Sequence, residues 1–559
     1  MKNTSREHIG KTIPVLILAG SICLHTAALG RQKILSFKDY RDRCEAIWAA
    51  QITASLLTGP YQFKPKTVTT VKFYDDAVHN RLEANRGFAD LDDSWYLEYM
   101  HLEAFEEFGP DLSLEELSGI WASDNTAFAG LLRIIQSNVK AGVPASQLGL
   151  PDNNPMWFHT HIQAGSELYG MLLPGMPQTA ASVARRLGHA YGYAEGTDGA
   201  AMMAGLVSLA FFEFDPRVVL RKAVPLLDSS APHRKCLEQV IRMADSFESP
   251  QAIAEAVVRT FGPVRPESNT TVADFGIVAI ALWYGEGHFI NTLNLALSLT
   301  DYTSSSQNAA CAGAVLGAMH GMRVIPRYLI KDIHGHIRGD RTETIQRLLP
   351  LEMDIKDLAR RSADMGVLMM FHWGKMDIKM EDLNITVEEN ISCLPPEPFS
   401  PDDYVKKWNR GWFLKGAGYG FSDAGRQDLN GVTFIENGIL SIYPAGHISL
   451  PCLYRKVSPE QGSVLKCSAG AERGKPWQLQ IYIDNKQADR ARIIGSEDAV
   501  TGGREERRFE TVTLDLSPWA GQSVIIRLFM SPVPGSEKPG NAFWRSAVVS
   551  ASTDTSNEK

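Results

Sequence analysis

The most constraining feature of this 559-residue chain is a change of hydrophobic period along its length. From about residue 38 to about 350, apolar residues recur at the three- and four-residue spacing of helices that bury one face. From about residue 395, short runs alternate apolar and polar residues between Gly, Pro and Asn turns. The sequence therefore predicts a multidomain protein, with an all-α domain followed by an antiparallel β-sandwich of the jelly-roll type.

Several helices can be placed in the first half. Residues 95–108 carry the helical spacing. Asp215 and Pro216 predict a helix start, with Asp as N-cap and Pro as the first helical residue. Residues 199–212 and 309–319 are apolar on nearly all sides and rich in small residues, so we expect them to pack closely at the centre. Further helices are predicted at 178–190, 216–227, 234–245, 250–260 and 274–284.

In the second half, strands are predicted at 431–435, 477–483, 510–516 and 523–529. Three tryptophans there, Trp477, Trp519 and Trp544, either stack on sugar rings or lie in the sandwich core. Cys452 and Cys467 either form a disulfide or stay as free buried thiols.

Residues 1–30 have the pattern of a secretory signal peptide. Three basic residues, Lys2, Arg6 and Lys11, precede a short apolar core at 13–24 and a small-residue exit. A buried N-terminal helix is the alternative. Export predicts a location in the periplasm, at the cell surface or in the medium.

The predicted division of the chain is a signal peptide at 1–30, the helical domain at 31–394, a sandwich similar to a carbohydrate-binding module at 395–550 and a disordered tail at 551–559.

The composition excludes several classes of protein. A net charge of -8 gives no sign of the basic surface that nucleic-acid polymers require. A hydrophobic content of 44% is too high for a disordered chain. Beyond the N-terminus no apolar run reaches about 18 residues, so no integral membrane span is expected after signal removal.

Two clusters of oxygen-bearing side chains precede predicted helices. Asp92, Asp93 and Ser94 either cap the helix that follows or bind a hard cation such as Mg²⁺ or Ca²⁺. Asp301 begins a hydroxyl-rich run that ends at Asn308, which is either a capping loop or a binding loop for a phosphate or a sugar.

A third cluster contains His159, His161, Gln163 and Glu167. Histidines at positions i and i+2 do not share a helix face, and no Glu follows at metalloprotease spacing. The cluster therefore favours a helix start with polar residues directed at a cleft. The residues predicted to bind substrate are His159, His161, Gln163, Glu167, Ser304, Ser306 and Asn308.

The order of motifs resembles the ADP-ribosylglycohydrolase family, in its diverged branch of exported bacterial proteins, over about residues 38–350. The motifs that carry the resemblance are, in chain order, the Asp92–Ser94 turn, Tyr169–Gly175, Ala210–Pro216, Ala273–His288 and Asn308–Gly321. The resemblance implies an all-α fold with a centre of typically two Mg²⁺, and cleavage of N- or O-glycosidic bonds to ADP-ribose. It implies that Asp92 and Asp93, with Ser94, are metal ligands.

This chain departs from the family at its second acidic motif. The two aspartates of that motif fall on Ser304 and Ser306 when the chain is counted back from Gly313 without gaps. Because hydroxyls are neutral and weak ligands, we expect the Mg²⁺ or Ca²⁺ site to be weakened or absent. Asp301 lies three residues upstream and is the candidate replacement ligand.

Hydrolysis without a metal needs two carboxyl groups that flank the scissile bond. The candidate catalytic acids are Asp92, Asp93, Glu98 and Glu286. In a helix Glu98 follows Ser94 by one turn, and Glu286 lies in a Gly-Glu-Gly turn. A solvated or capping acid is the alternative for each.

Taken together, these observations predict an exported hydrolase of glycosidic bonds that acts on a glycan, a glycoconjugate or an ADP-ribose-like small molecule. The alternative is a non-catalytic sugar- or nucleotide-binding protein derived from an ADP-ribosylglycohydrolase. A scaffold in an envelope complex is a third hypothesis.

Overall fold

The computed structural model describes most of both halves of the chain. The described residues are 31–61, 89, 91–123, 127–262, 271–299, 305–332, 335–341, 345–379, 382–397, 401–415, 433–436, 438–445, 450–494, 500–501, 504–505, 509–535 and 539–551. The predicted signal peptide, Asp301, Ser304 and nearly all of the predicted tail lie outside them.

The first half is helical, as predicted. Its helices are α1 Phe37–Thr58, α2 Asp93–Phe108, α3 Leu114–Ser123, α4 Gly130–Lys140, α5 Thr160–Gln163, α6 Glu167–Leu172, α7 Pro177–Gly188, α8 Glu195–Ala210, α9 Pro216–Ala223, α10 Pro232–Asp245, α11 Pro250–Phe261, α12 Thr271–Gly285, α13 Phe289–Ser298, α14 Ser305–His320, α15 Arg327–Asp332 and α16 Ile355–His372. A further helix, α17 Pro401–Trp408, precedes the sandwich.

The two small-residue segments lie at the centre of the helical domain, as the sequence predicts. Every residue of α8 is buried, and α14 is buried from Ser305 to Met319. Gly317 lets α14 approach α1 closely, because a Cβ at that position would lie 2.7 Å from the Ala46 carbonyl oxygen. The predicted start of α9 is also confirmed, since the Asp215 side chain accepts a hydrogen bond from the Arg217 N–H at 2.8 Å.

The strands are β1 Gln32–Ser36, β2 Ala127–Phe128, β3 His336–Arg341, β4 Ile345–Asp354, β5 Met376–Lys379, β6 Asp382–Thr386, β7 Phe413–Lys415, β8 Thr433–Glu436, β9 Ile439–Ile442, β10 Cys452–Val457, β11 Val464–Ala471, β12 Trp477–Ile483, β13 Lys486–Ile493, β14 Val500–Thr501, β15 Arg504–Glu505, β16 Phe509–Asp515, β17 Val524–Pro532 and β18 Ala542–Ser550. Two three-stranded sheets, β1-β6-β5 and β2-β4-β3, pack against the helices and were not predicted. The pair β14-β15 stands by itself.

The second half forms the predicted sandwich of two antiparallel sheets. The strand orders are β13-β12-β17-β10-β7 and β16-β11-β18-β9-β8. Alternate residues of β12, β17, β11 and β18 point inward and form one apolar core. That core contains Trp477 and Trp544, which are fully buried with ring centroids 5.5 Å apart, so these two side chains cannot stack on a sugar. Cys452 and Cys467 lie on different sheets as free buried thiols, which is the second of the two alternatives left open by the sequence.

The sandwich core continues onto the helical domain. Trp157, Phe158 and Ala194, from the loops before α5 and α8, pack in the same cluster as Trp412 and the inward-facing strand residues. Lys407 of α17 also forms an ion pair with Asp152 at 2.6 Å. The sandwich therefore rests on the loop that leads directly into α5. Among the described residues, none of the helices combines the length and apolar character needed to cross a membrane.

Candidate functional site

The N-terminal ends of α2 and α5 bring together acidic and imidazole side chains. Asp93 is the first residue of α2, and its Oδ2 lies 3.9 Å from the Nε2 of His161. The side chains of both residues are 13% exposed, so the pair is mostly shielded from solvent but still accessible to it. We call Asp92, Asp93, His159 and His161 the mouth cluster; all four are partly buried.

His159 fixes the backbone at the start of α5, next to His161. It is the N-cap of α5, and its Nδ1 accepts a hydrogen bond from the His161 N–H at 3.3 Å. The surrounding protein and the neighbouring His161 lower the pKa of His159 well below its usual value. His159 is therefore neutral near pH 7, and the hydrogen bond leaves its proton on Nε2, where it can act as a donor.

Two buried glutamates are in contact near the mouth cluster. Glu98 lies on α2, and Glu167 is the first residue of α6. Burial and the adjacent Glu167 carboxylate raise the pKa of Glu98 well above its usual value. Burial also raises the pKa of Glu167, although hydrogen bonds donated by Glu98 and Cys311 oppose that change. Since two carboxyl groups in contact cannot both ionise in a buried site, the pair holds one proton, which Glu98 donates to Glu167.

The remaining hydrogen bonds of this pair are well satisfied. Glu98 accepts bonds from the Gln51 amide at 3.2 and 3.3 Å and from the Leu168 N–H at 3.1 Å. Glu167 accepts one from the Ser166 N–H at 3.1 Å. Such saturation is the condition under which a core tolerates a buried charge.

The small-residue helix α14 adds further polar side chains beside the Glu98–Glu167 pair. Cys311 contacts Glu167, and its pKa is raised by burial and by the Glu167 carboxylate. One turn earlier on the same face, the Asn308 amide donates a hydrogen bond to Asp274 of α12 at 3.2 Å. We call Glu98, Glu167, Asp274, Asn308 and Cys311 the buried acid seam.

A second buried polar group surrounds Gly199 on α8. A Cβ at Gly199 would lie 3.1 Å from His233 Nε2 and 3.2 Å from Gln163 Oε1. The hydroxyl of Thr271 donates a hydrogen bond to the Glu195 carbonyl oxygen at 3.1 Å. Gln163 is fully buried, and neither end of its amide has a hydrogen-bond partner among the described residues.

The structure brings most of the sequence-predicted residues into this region. Asp92, Asp93, His159 and His161 form the mouth, Glu98, Glu167 and Asn308 lie in the seam, and Gln163 and Ser306 are buried close by. The Ser94 backbone lies in the first turn of α2. Asp301 and Ser304 lie outside the described residues.

Glu286 is not brought to this site. It follows the C-terminal end of α12, whereas Asp274 lies near the opposite end of that helix. Its side chain is 64% exposed and forms an ion pair with Arg217 at 2.7 Å. The Gly-Glu-Gly turn therefore serves as a surface helix end, with Glu286 at a positive φ of 52°.

Sequence reasoning missed five members of the region, namely Gln51, Glu195, His233, Asp274 and Cys311. Each is buried within a helix of the domain. The sequence did offer one signal, a polar residue within an otherwise apolar run. Such a residue needs hydrogen-bond partners within the core. Asp274 within the apolar α12 is the clearest example.

The weakening or loss of the Mg²⁺ or Ca²⁺ site stays a prediction, because Asp301 and Ser304 of the expected donor set lie outside the described residues. Among the described residues, no three His, Cys, Asp or Glu side chains are grouped so as to hold a metal ion. Ser306 offers only a neutral, buried hydroxyl where the family pattern has a carboxylate.

Two solved structures are similar to parts of the chain. One, described as "ADP-ribosylglycohydrolase-related protein complex", has a TM-score of 0.42 and 14% identity, and the match covers 60% of this chain and 100% of that one. The other, described as "CBM4 structure and function", has a TM-score of 0.17 and 15% identity, and the match covers 25% of this chain and 85% of that one. Both likenesses are too weak to carry an argument. No curated protein matches the chain.

The family comparison is stronger and covers most of the helical domain. The family model described as ADP-ribosylglycohydrolase matches residues 39–361, which is more than half of the chain. The match spans α1 through the first part of α16, and it includes the mouth cluster and the buried acid seam. The general activity of this family is hydrolysis of a glycosyl bond, and the chain belongs to the ADP-ribosylglycohydrolase family.

Proposed function

We propose that this chain is an exported hydrolase of glycosidic bonds that acts on a glycan or glycoconjugate, with the mouth cluster as its reactive centre. Membership of the ADP-ribosylglycohydrolase family supports the reaction type. The signal-like pattern of residues 1–30 and the appended sandwich support a substrate outside the cytoplasm.

The observation that carries this proposal is the Asp93–His161 contact of 3.9 Å between two partly exposed side chains. A carboxylate beside an imidazole stabilises the protonated ring, so the two together can accept a proton from water and return it. The separation is longer than a hydrogen bond, as is common for catalytic pairs before substrate binds. Asp92 is the neighbouring carboxyl available for the second role that glycoside hydrolysis requires.

Each residue of the mouth has a defined role in this scheme. Asp93 positions His161 and balances its charge, His161 takes the proton from the attacking water, and the Asp92 carboxyl group gives a proton to the leaving glycosidic oxygen. His159, held neutral with its proton on Nε2, donates a hydrogen bond to a substrate oxygen. The buried acid seam adjoins these side chains through α2, which carries both Asp93 and Glu98.

The proposal is tested with Asp93→Asn and His161→Gln, assayed on nitrophenyl glycosides and on an ADP-ribosylated peptide. We expect kcat to fall by about 10²–10⁴-fold, the usual contribution of a general base. Because Asp93 is the first residue of α2, Asp93→Asn removes a negative charge from the positive end of the helix dipole, and we expect the free energy of unfolding to fall by only about 0.3–1 kcal/mol. Asp245→Asn, which alters an exposed aspartate paired with Arg221, is the matched control.

Equal turnover by the wild type and both variants would refute the assigned roles. A loss of stability without a loss of turnover would reduce Asp93 to a residue that only stabilises the N-terminal end of α2.

A non-catalytic sugar- or nucleotide-binding protein is the second candidate function. One observation favours it, namely the buried hydroxyl of Ser306 at a position where the family pattern has an aspartate. Wild-type protein that binds these glycosides without releasing nitrophenol would support this candidate and contradict the hydrolase.

A further inference from the structure

The helical domain has a groove on its surface that the reaction described above does not use. It is formed where the N-terminal end of α7, the turn between α16 and β5, and the segment after β6 meet. The cavity has a volume of about 390 Å³, within the range of small-molecule sites. Its lining residues are Gln178, Thr179, Ser182, Trp373, Lys375, Thr386, Val387, Glu388, Glu389 and Asn390.

We propose that this groove is a second binding site that takes a neutral oligosaccharide, with the Trp373 indole as the stacking surface. The combination of one exposed aromatic face with hydroxyl, amide and carboxyl groups matches the chemistry of a sugar. The C–H face of a pyranose packs on an indole, and its hydroxyls bond to polar side chains around the rim. Trp373 is 43% exposed, whereas Trp477 and Trp544 of the sandwich are fully buried.

The backbone that carries Trp373 is held in place by the way α16 ends. Trp373 is the C-cap, and Gly374 follows in the left-handed region at φ 64°. The Lys375 N–H bonds to the Met370 carbonyl at 3.1 Å, and the Gly374 N–H bonds to the Phe371 carbonyl at 2.9 Å. This is a Schellman motif, which fixes the chain on both sides of the tryptophan.

The opposite wall is equally fixed. Glu388 accepts hydrogen bonds from the Gln178 N–H at 2.8 Å and the Thr179 N–H at 3.1 Å, and so caps the start of α7. The Gln178 amide is in turn bonded to Ser392 at 2.6 Å. Asn390 and Glu389, both exposed, remain at the rim as donors and acceptors for a ligand. A preorganised groove binds with a smaller loss of conformational entropy.

A neighbouring cavity lengthens the site. It has a volume of about 280 Å³ and shares Val387, Glu388 and Glu389 with the groove. Phe212 also lines it, with the Lys33 ammonium 5.1 Å from the centre of its ring. Two adjoining cavities with an aromatic ring in each suit a chain of several sugar units better than a single monosaccharide.

Binding is tested on the full chain with hexasaccharides of glucose, xylose, mannose and N-acetylglucosamine, by titration calorimetry and tryptophan fluorescence. We expect one of them to bind, and Trp373→Ala to weaken that binding about tenfold and to abolish the fluorescence change. Phe371→Ala, which removes a ring that is 70% exposed on the same helix end but outside the groove, is the matched control. Asn390→Ala is a second variant and should weaken binding about three- to tenfold.

Unchanged affinity in Trp373→Ala, or no binding of any hexasaccharide, would overturn the proposal. So would a fluorescence change with casein peptides in place of the saccharides. Hydrolysis of nitrophenyl glycosides, measured on the same proteins, reports on the mouth cluster. Saccharide binding therefore reports on the groove, and glycoside hydrolysis reports on the mouth cluster, so the failure of one proposal can be told from the failure of the other.

Discussion

At the scale of single residues, the most unusual feature is a carboxyl pair that shares a proton inside an apolar helical core. Glu98 and Glu167 are both buried, and backbone and side-chain donors satisfy their oxygens. A raised pKa means that the folded protein holds this proton more tightly than the unfolded chain does. Stability from this pair is then fully present below the usual pKa of 4.5 and declines as the pH rises above it.

Glu98→Gln should remove that decline. The amide can accept the bonds from Gln51 and Leu168 and donate one to Glu167, so the fold is retained. Thermal unfolding measured from pH 4 to 9 should show a smaller loss of stability with rising pH than in the wild type. Glu238→Gln, which changes a surface glutamate paired with Arg234, should leave the dependence unchanged. Parallel curves for Glu98→Gln and the wild type would contradict the shared proton.

The sequence identified both glutamates of the pair as candidates but not their contact. Glu98 bonds to the backbone of Leu168, which lies 70 positions away in the chain. Sequence spacing reports neighbours on one helix only, because it contains no information on which helix faces meet. Cys311 and Asp274 were missed for the same reason.

At the scale of elements, the centre of the domain depends on small residues at a helix crossing. The sequence predicts close packing of 309–319, and α14 does lie against α1 with Gly317 over the Ala46 carbonyl. Unlike a flexible side chain, the backbone of α1 cannot move aside without disturbing its own hydrogen bonds. The crossing also sets the position of Asn308 and Cys311, which lie on the same helix as Gly317.

Gly317→Ala should lower the free energy of unfolding by about 1–3 kcal/mol, the usual cost of overpacking a core. The added Cβ would lie 2.7 Å from the Ala46 carbonyl oxygen, so one helix must shift. Gly119→Ala on α3 is the control, because a Cβ there has no atom within 4 Å and should stabilise the helix by up to about 1 kcal/mol. Chemical denaturation measures both. Equal effects of the two substitutions would refute the close approach.

At the scale of the whole molecule, the segment before the sandwich is docked on the helices. Pro395, the first residue of the predicted sandwich segment, accepts a hydrogen bond from Arg185 at 2.6 Å. Glu397 contacts His189 Nε2 at 2.5 Å and the Ala194 N–H at 2.5 Å. Burial opposes ionisation of Glu397, but His189, Ala194 and Arg185 outweigh it and lower its pKa. Stability from this contact is therefore present above pH 4.5 and lost as the pH falls below that value.

Glu397→Gln should loosen this attachment, since a hydrogen bond to a charged group contributes about 1.5–3 kcal/mol. We expect faster cleavage between the two domains by a broad-specificity protease at pH 7, and wild-type cleavage should approach that rate as the pH falls below 4.5. Glu389→Gln changes an exposed glutamate of the same segment and serves as the control. Equal cleavage of all three proteins would show that Glu397 does not hold the segment in place.

The sequence by itself determined the order of an α domain and a β-sandwich, the helix starts such as Asp215–Pro216, and the small residues of α14. These follow from local periodicity, capping and side-chain size, which act between residues close in the chain. Only the tertiary structure decided that Glu98 meets Glu167, that Glu286 lies far from Asp274, and that Trp373 rather than Trp477 is exposed. Each of these outcomes depends on which faces of distant elements pack together, and that choice is made by burial over the whole domain.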